Sequence, residues 1–496
     1  TFNVAIGDNA LCANTTASSN VAIGRDAMFV NTTGTQNVAV GALALDANTT
    51  ASQNTAVGVC ALTTNTTGCH NAAVGYGSLL SNTTGDANTA VGREAMYANT
   101  TADNNTGIGN AALLRNTTGA SNVAVGKSAM AANTTGATNT AVGFSAMLVN
   151  TTGGENTAIG DCTLATQVAG GIGNTALGYF AGRLNTAGDN LTAIGKNALT
   201  ANTTGGLNTA VGSGASIKNT TGCYNVAVGG NASACGTTGE QNTAVGYNAN
   251  LKATTVAGNT AIGFLTLSCN VGAVNTAVGA SAMIANTTGD KNTAVGNDAL
   301  KANTTGGENV AVGKGAMLAN TSAACNTAVG YLAGPAITTG TDNVVIGRCG
   351  TPNLTTGAGN ITIGDAGNVS TRLFNIVGQN NRFIAGHNNI SNAYVKVDWT
   401  VTSDERDKMN FQEIPHGLDF VNQMKPVSFV FKKSREDNTP HGHQKYGFKA
   451  QDILKLEGDN PIIINNEDTD NLKVTNSHMT PVLVKAIQEL SETNKK

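Results

Sequence analysis

A glycine returns along this chain every seventeen residues. It stands at 7, 24, 41, 58, 75, 92, 109, 126, 143 and 160. After one extra residue it continues at 178, 195, 212, 229, 246 and 263, and after one fewer at 279, 296, 313, 330, 347 and 364. Each closes a unit of the form Asn-[Thr/Val]-Ala-[Val/Ile]-Gly, so the chain holds 22 copies whose phase survives both slips. Repetition this strict decides the architecture before any local propensity does. One copy reads N-T-A-V-G-x-x-A-[LM]-x-A-N-T-T-G-x-x, with an apolar pair after each glycine, as at Ala27-Met28, Ala61-Leu62 and Ala316-Met317. Two apolar patches of two or three residues are too short for a helix bundle. Each is followed by Gly or Asn-Thr-Thr-Gly, which are turn signals.

Short strands broken by turns at fixed spacing make a solenoid, in which each copy is one coil and identical positions stack. The expected fold class is therefore mainly β, a long parallel β-roll or β-solenoid of 22 coils of about 17 residues over 1–366. In it Ala, Val and Leu/Met fill a narrow interior, Asn and Thr form hydrogen-bonded ladders, and Gly takes the positive-φ corners. Coils about 4.8 Å apart give a rod roughly 100 Å long. So thin a coil, nearly without aromatics, has little interior of its own, so lateral association of several chains is expected, with a homotrimer as the partner arrangement. The Asn-Val-Ala-Ile-Gly of residues 3–7 and 20–24 resembles the repeat of trimeric autotransporter adhesin heads, and similar arrays occur in phage and large-virus fibres.

Charge breaks the chain in two. Residues 1–366 hold 27 Asp, Glu, Lys and Arg, whereas the last 130 residues hold 32, the ordinary globular density. The formal net charge of −3 signals neither a nucleic acid nor a membrane surface. No apolar run approaches a transmembrane length, so no membrane insertion is expected. No signal peptide is read, and because Thr1 falls inside a repeat, further residues are expected upstream of it. The nine cysteines all lie in the repeat, at different phases and without a CxxC, and are expected as small buried fillers of a protein made in a reducing cytoplasm.

From 367 to 402 the repeat fades into a β-rich neck, with short alternating stretches at 373–377, 383–386 and 393–397. The last segment, 403–496, reads as a small α+β module. Gly417–Met424 forms a short helix stopped by Pro426, and Val427–Phe431 a strand; Gly447–Leu454 starts a second helix. Thr480 caps a terminal helix with Pro481 in its first turn, and Val482, Leu483, Ala486, Ile487 and Leu490 make one apolar stripe suited to a bundle between subunits.

Ser403-Asp404-x-Arg406-x-Lys408, Gly417-Leu418, Lys425-Pro426-Val427, Gly447-Phe448-x-Ala450-Gln451 and Leu483-x-x-Ala486-Ile487-x-Glu489-Leu490 follow one another in this module. In that order they resemble the intramolecular chaperone domain that ends endosialidase-type tailspikes, other phage fibres and the myelin regulatory factor family. Asp407 stands where that family commonly has an apolar residue, and Asn476-Ser477-His478 where it has a Tyr before the last helix. The resemblance implies a domain that trimerises, helps the preceding fibre fold and then cuts itself off between Thr402 and Ser403. It implies Ser403 as nucleophile and Lys408 as general base.

A serine hydroxyl attacks only when a base takes its proton, and lysine does this only as the neutral amine. Burial and the charge of Arg406 would favour that form, whereas Asp404 and Asp407 would oppose it. Read from spacing alone, the same residues are also a surface turn and a solvated lysine. Other chemistry is weaker. His441-Gly442-His443 lacks a third ligand, so no metal is expected, and the Gly-rich steps sit in no βαβ unit, so no cofactor is. Asn-Thr-Thr matches the glycosylation sequon at Asn14, Asn31 and Asn48, but its period favours a turn and ladder. A carbohydrate-degrading tailspike is a further alternative; it would need two carboxylates about 5 to 10 Å apart, and Asp and Glu in the roll do not recur in phase. The expected function is a virion fibre for host attachment, made in the host cytoplasm, with a surface glycan or protein as receptor. The alternative is a cell-surface bacterial trimeric adhesin, which would be expected to end in membrane-spanning strands; ice binding by the Thr arrays is a remote third.

Overall fold

The computed structural model describes residues 2–168, 170–364, 374–386, 390, 403–432, 435, 437–467, 469–470 and 472–495. The chain divides into two compact units, Thr1–Cys325 and Asn326–Lys496. In the first, every repeat forms one three-residue strand, from β1 (Val4–Ile6), β2 (Val21–Ile23) and β3 (Val38–Val40) to β19 (Val310–Val312). The second unit opens with β20 (Thr327–Val329), β21 (Val344–Ile346) and β22 (Ile361–Ile363). The architecture is a parallel β-solenoid of about 21 turns followed by a small region with three helices among the described residues. Strands pair with like opposite like, as Val21, Ala22 and Ile23 lie against Val38, Ala39 and Val40. The two slips fall between strands, so Thr157 still meets Thr175 and Thr260 still meets Thr276.

Alternation explains the strand. Its middle residue points inward, and Ala22, Ala39 and Ala56 are fully buried while their neighbours are half-exposed. The space behind is filled by the second patch, where Ala44-Leu45 and Ala95-Met96 are fully buried. At Gly107, which takes the middle place in its strand, even a methyl would lie 2.8 Å from Met96 Cγ. The interior therefore admits little beyond Ala on the strand side.

The corners differ from expectation. The repeat glycine does take a positive φ, 140° at Gly41, where a Cβ would lie 2.4 Å from the Gly58 carbonyl oxygen of the next coil. Three further corners per coil are left-handed and are mostly not glycine: Leu43 (φ 60°), Leu45 (φ 51°) and Gln53 (φ 63°). Each such residue costs about 1–2 kcal/mol. The same corners aim backbone N–H groups along the stack, so Leu43 donates to Arg25 O, Leu45 to Ala61 O and Gln53 to Thr35 O, each at 3.0 Å. Thus coils are hydrogen-bonded round most of their perimeter and not only at the strands.

Two buried asparagine ladders complete the interior. In the first, Asn37 N–H donates to Asn20 Oδ1 and Asn54 N–H to Asn37 Oδ1, both at 2.9 Å, and Asn37 Nδ2 donates to Ala51 O. In the second, Asn48 Nδ2 donates to Asn31 Oδ1 at 2.9 Å and Asn65 Nδ2 to Asn48 Oδ1 at 3.1 Å. These second-ladder residues are the Asn of the Asn-Thr-Thr sequons, fully buried with both amide groups engaged. In the folded coils these nitrogens are closed to a glycan, whereas Asn14 in the first coil is half-buried. In the second unit the same column turns aliphatic at Ile337, Leu354 and Ile376, all buried.

The nine cysteines are not buried fillers. Cys12 and Cys325 are exposed and the other seven are half-buried, and none of the nine forms a disulfide. The inward columns are already held by Ala, Leu, Met and Asn, which leaves turn positions for the thiols. Of the segment read as a neck, residues 374–386 continue the ladder: β23 (Phe383–Ala385) pairs in parallel with β22, and Asn381 N–H donates to Ala358 O. The stretch 393–397, also expected as a strand, lies outside the described residues.

The region after residue 403 packs α1 (Leu418–Gln423), α2 (Ala450–Glu457) and α3 (Asn476–Thr493) around Phe420, Met424, Ile453, Ile463, Ile464, Met479 and Val482. Two antiparallel pairs accompany them, β24 (Val427–Lys432) with β25 (Pro440–Gly447) and β26 (Ile464–Asn465) with β27 (Lys473–Val474). The second helix begins at Ala450, not Gly447, because Gly447 still pairs with Val427. The terminal helix begins at Asn476, a turn earlier than its Thr-Pro signal, so Pro481 lies inside it. Burial of Met479 and a hydrogen bond from Thr475 N–H to Ile463 O (2.8 Å) hold that extra turn in place.

Candidate functional site

The site is built on a single 3-10 turn, Glu405–Asp407. Asp404 starts it by local capping: its Oδ1 accepts the Arg406 backbone N–H at 2.9 Å, while its carbonyl accepts from Asp407 N–H at 3.2 Å. Lys408 N–H then closes the turn on Glu405 O at 3.1 Å. One tight reversal is what lets a side chain five residues on reach back. Lys408 Nζ lies 2.7 Å from Ser403 Oγ and donates to Ser403 O at 3.3 Å. Ser403 and Lys408 are therefore together, at the distance proton transfer requires.

Arg406 does not face Lys408 as a free charge. Its guanidinium holds Asp404 in a two-pronged contact, Nε to Oδ1 at 3.0 Å and Nη2 to Oδ2 at 2.6 Å. That hydrogen bond, helped by the Arg406 backbone N–H, keeps the Asp404 carboxyl below its ordinary range and raises the guanidinium in turn. The pair neutralises itself and shapes the turn. Every residue from Ser403 to Glu413 is exposed, including Met409 at 81% and Phe411 at 67%. Thr402, expected on the acyl side of the bond, lies outside the described residues.

Three anchors in this module escape a reading from sequence. Glu489 of α3 accepts the Leu418 N–H at 2.6 Å, closing the start of α1. A Cβ on Gly417 would lie 2.2 Å from that carboxylate, which explains the Gly-Leu pair and the Glu near the chain's end together. Lys485 donates to Ile414 O, tying the strap's end to the same helix. Glu457 accepts three successive N–H groups, from Ile462, Ile463 and Ile464, at 2.6 to 3.0 Å. The signal for each is a single charged side chain beside an apolar helix face, too common to be diagnostic.

The terminal helix splits its apolar stripe. Val482 and Ala486 face the core, whereas Leu483, Ile487 and Leu490 are 41%, 67% and 46% exposed at the three- and four-residue spacing of a second face. No group of three candidate metal ligands occurs among the described residues, His441 and His443 included. No helix among those residues is long and apolar enough to cross a membrane.

Residues 403–459 match the chaperone-of-endosialidase family. The match opens on Ser403 itself and closes just beyond α2. No curated protein and no solved structure matches the chain.

Proposed function

We propose that the chain is a structural fibre of a virion, whose C-terminal module brings three copies together and then cuts itself free at Ser403. The observation that carries this reading is positional: the chaperone-of-endosialidase match starts at the serine whose hydroxyl lies 2.7 Å from Lys408 Nζ, where the repeat has ended. On this reading the chain comprises a shaft (1–366), a neck (367–402) into which the ladder runs on as far as β23, and a self-cleaving chaperone (403–496).

Homotrimer formation is supported by two unpartnered faces. The last strand residue of each coil is Val, Ile or Leu and points outward, 36–59% exposed at Ile6, Val74, Ile108, Leu177, Ile262 and Val295 among others. On α3 the exposed Leu483, Ile487 and Leu490 form a second apolar stripe. A soluble chain seldom leaves aliphatic rows of that length to water. The shaft then serves host attachment, directly or as a spacer, with a surface glycan or protein as receptor.

In the reaction the neutral Lys408 amine takes the Ser403 hydroxyl proton as Oγ attacks the Thr402 carbonyl carbon. The C–N bond breaks, the Ser403 nitrogen takes a proton from the lysine, and the acyl group rests as an ester on Oγ. Water then hydrolyses that ester to a Thr402 carboxylate and a free Ser403 hydroxyl and amine. Asp404 and Arg406 act as positioning residues. The test is expression of the chain beside Ser403→Ala and Lys408→Ala, followed by denaturing gels and mass spectrometry. Wild type should give a fragment ending at Thr402 and one beginning at Ser403, and both variants should stay whole. Intact wild type, or a cut Ser403→Ala chain, would overturn the reading.

A further inference from the structure

The dyad has its geometry in a single chain but not its surroundings. Lys408 is exposed, and the one neighbouring cation on its own turn, Arg406, is bound up with Asp404. An amine becomes a base at neutral pH when it is dried and placed near positive charge. Neither condition is met by the strap itself.

The β24–β25 hairpin offers both. No residue of either strand is buried, and Val430, Phe431 and Tyr446 are 40%, 55% and 90% exposed. A lone two-stranded hairpin is marginal in water, so this one is built to be covered. Its charge is the opposite of the strap's. Residues 425–449 carry Lys425, Lys432, Lys433, Arg435, Lys445 and Lys449 against Glu436 and Asp437, a net +4 with its histidines neutral. Residues 403–413 carry Asp404, Glu405, Asp407 and Glu413 against Arg406 and Lys408, a net −2. The apolar residues match as well, Met409 and Phe411 on one side and Phe431 and Tyr446 on the other. Because strap and hairpin are both exposed in one chain, the contact is not made within it.

We propose that the 403–413 strap of one copy docks on the β24–β25 hairpin of a second copy, and that the hairpin is the activating surface for the first copy's Ser403–Lys408 pair. This rests on the self-cleavage reading above. In the docked state Met409 and Phe411 exclude water beside Lys408, and Lys432, Arg435 and Lys445 face it with positive charge. Glu405, Asp407 and Asp437 are the carboxylates that oppose them, and His441 and His443 lie on the hairpin strand itself. Cutting in one chain thereby reports that a neighbour has arrived. Lys432 and Lys445 are positioning residues, since they touch no reacting atom.

The test pairs neutralisation with mixing. In full-length chains Lys432→Gln with Lys445→Gln should slow cutting about tenfold and raise the pH midpoint of the rate by about one unit, while Lys432→Arg with Lys445→Arg should cut as wild type does. A tagged Gln/Gln chain, its own dyad intact, should be cut again when co-assembled with untagged Ser403→Ala chains, which bring intact hairpins. As a check independent of folding in the variants, a photo-crosslinker at Met409, in a mixture of isotope-labelled and unlabelled chains, should capture residues 427–447 of the other isotope. Cutting of the Gln/Gln chain at the wild-type rate and midpoint, no rescue on mixing, or crosslinks only within one isotope would each overturn the proposal. Wild type that is never cut would instead overturn the self-cleavage reading.

Discussion

Asn116 offers the sharpest test of what holds the coils together. Its Nδ2 donates to Asn99 Oδ1 at 3.0 Å and to Gly119 O at 2.9 Å, and its Oδ1 accepts from Asn133 Nδ2 at 2.8 Å. Asn116→Ala removes all three bonds. Asn133 keeps its bond to Gly136 O, but Asn99 Oδ1 and Gly119 O are left buried without that donor. Each stranded acceptor costs about 1–3 kcal/mol and the void adds about 1, so the loss should be roughly 3–7 kcal/mol. Two residues away Thr118 is exposed, and Thr118→Ala should stay within about 0.5 kcal/mol of zero. Because coils contact chiefly their neighbours, the damage should be local. Hydrogen exchange with mass spectrometry is the assay: amides between Asn99 and Asn139 should exchange roughly 100-fold faster in Asn116→Ala, and those around Asn292–Asn309 unchanged. Equal exchange in the two variants would refute the view that the ladder, rather than the backbone alone, secures the stack.

Further outcomes follow from other positions. Gly41→Ala should destabilise its coils by several kcal/mol, since the new methyl would sit 2.4 Å from the Gly58 carbonyl oxygen; thermal melting and exchange would register it. Around Asn250 the wild-type chain should already exchange faster than its neighbours, because Asn250 lies in the Leu/Met column with both amide atoms unpartnered and Gly236 and Ala253 interrupt the second ladder. Gly417→Ala should loosen α1 by displacing Glu489, seen as faster exchange at 418–423, with Glu489→Gln milder than Glu489→Ala. Asp404, whose carboxyl Arg406 holds below its ordinary 3.8, stabilises the turn above that value and loses this as pH falls through the lower folded one. Cutting should therefore not weaken through Asp404 at mildly acidic pH, whereas Arg406→Ala should slow it at every pH.

Much of the shaft was legible because seventeen-residue phase is a global signal that no local preference can mask. Glycine at 7 to 364, Ala at the strand centre and Asn in ladders all sit where stacking demands. What periodicity cannot carry is backbone hand. Leu45 and Met96 look like ordinary core residues, yet occupy left-handed corners, a strain repaid by bonds to neighbouring coils that are distant in sequence. Cysteines read as interior because thiols usually are, and no composition rule says the interior columns are already full. In the module, helix starts were misplaced where tertiary contacts outrank local signals: Met479 and Thr475 extend α3 past its Thr-Pro cap. The meeting of Ser403 and Lys408 was legible through motif order, and their five-residue spacing needed only one tight turn. The exposed state of that turn was not, because exposure depends on what else the chain can lay over it.

Refolding at graded protein concentration tests most directly the proposal that cutting follows assembly. Samples of the full chain should be followed by native mass spectrometry for the assembled species and by denaturing gels for the cut. Fragments should appear only after a species of three 49.9 kDa chains, about 150 kDa, has formed, at a rate that rises with concentration. Ser403→Ala should reach the same mass uncut. A monomer that cuts itself at a rate independent of concentration would contradict the claim.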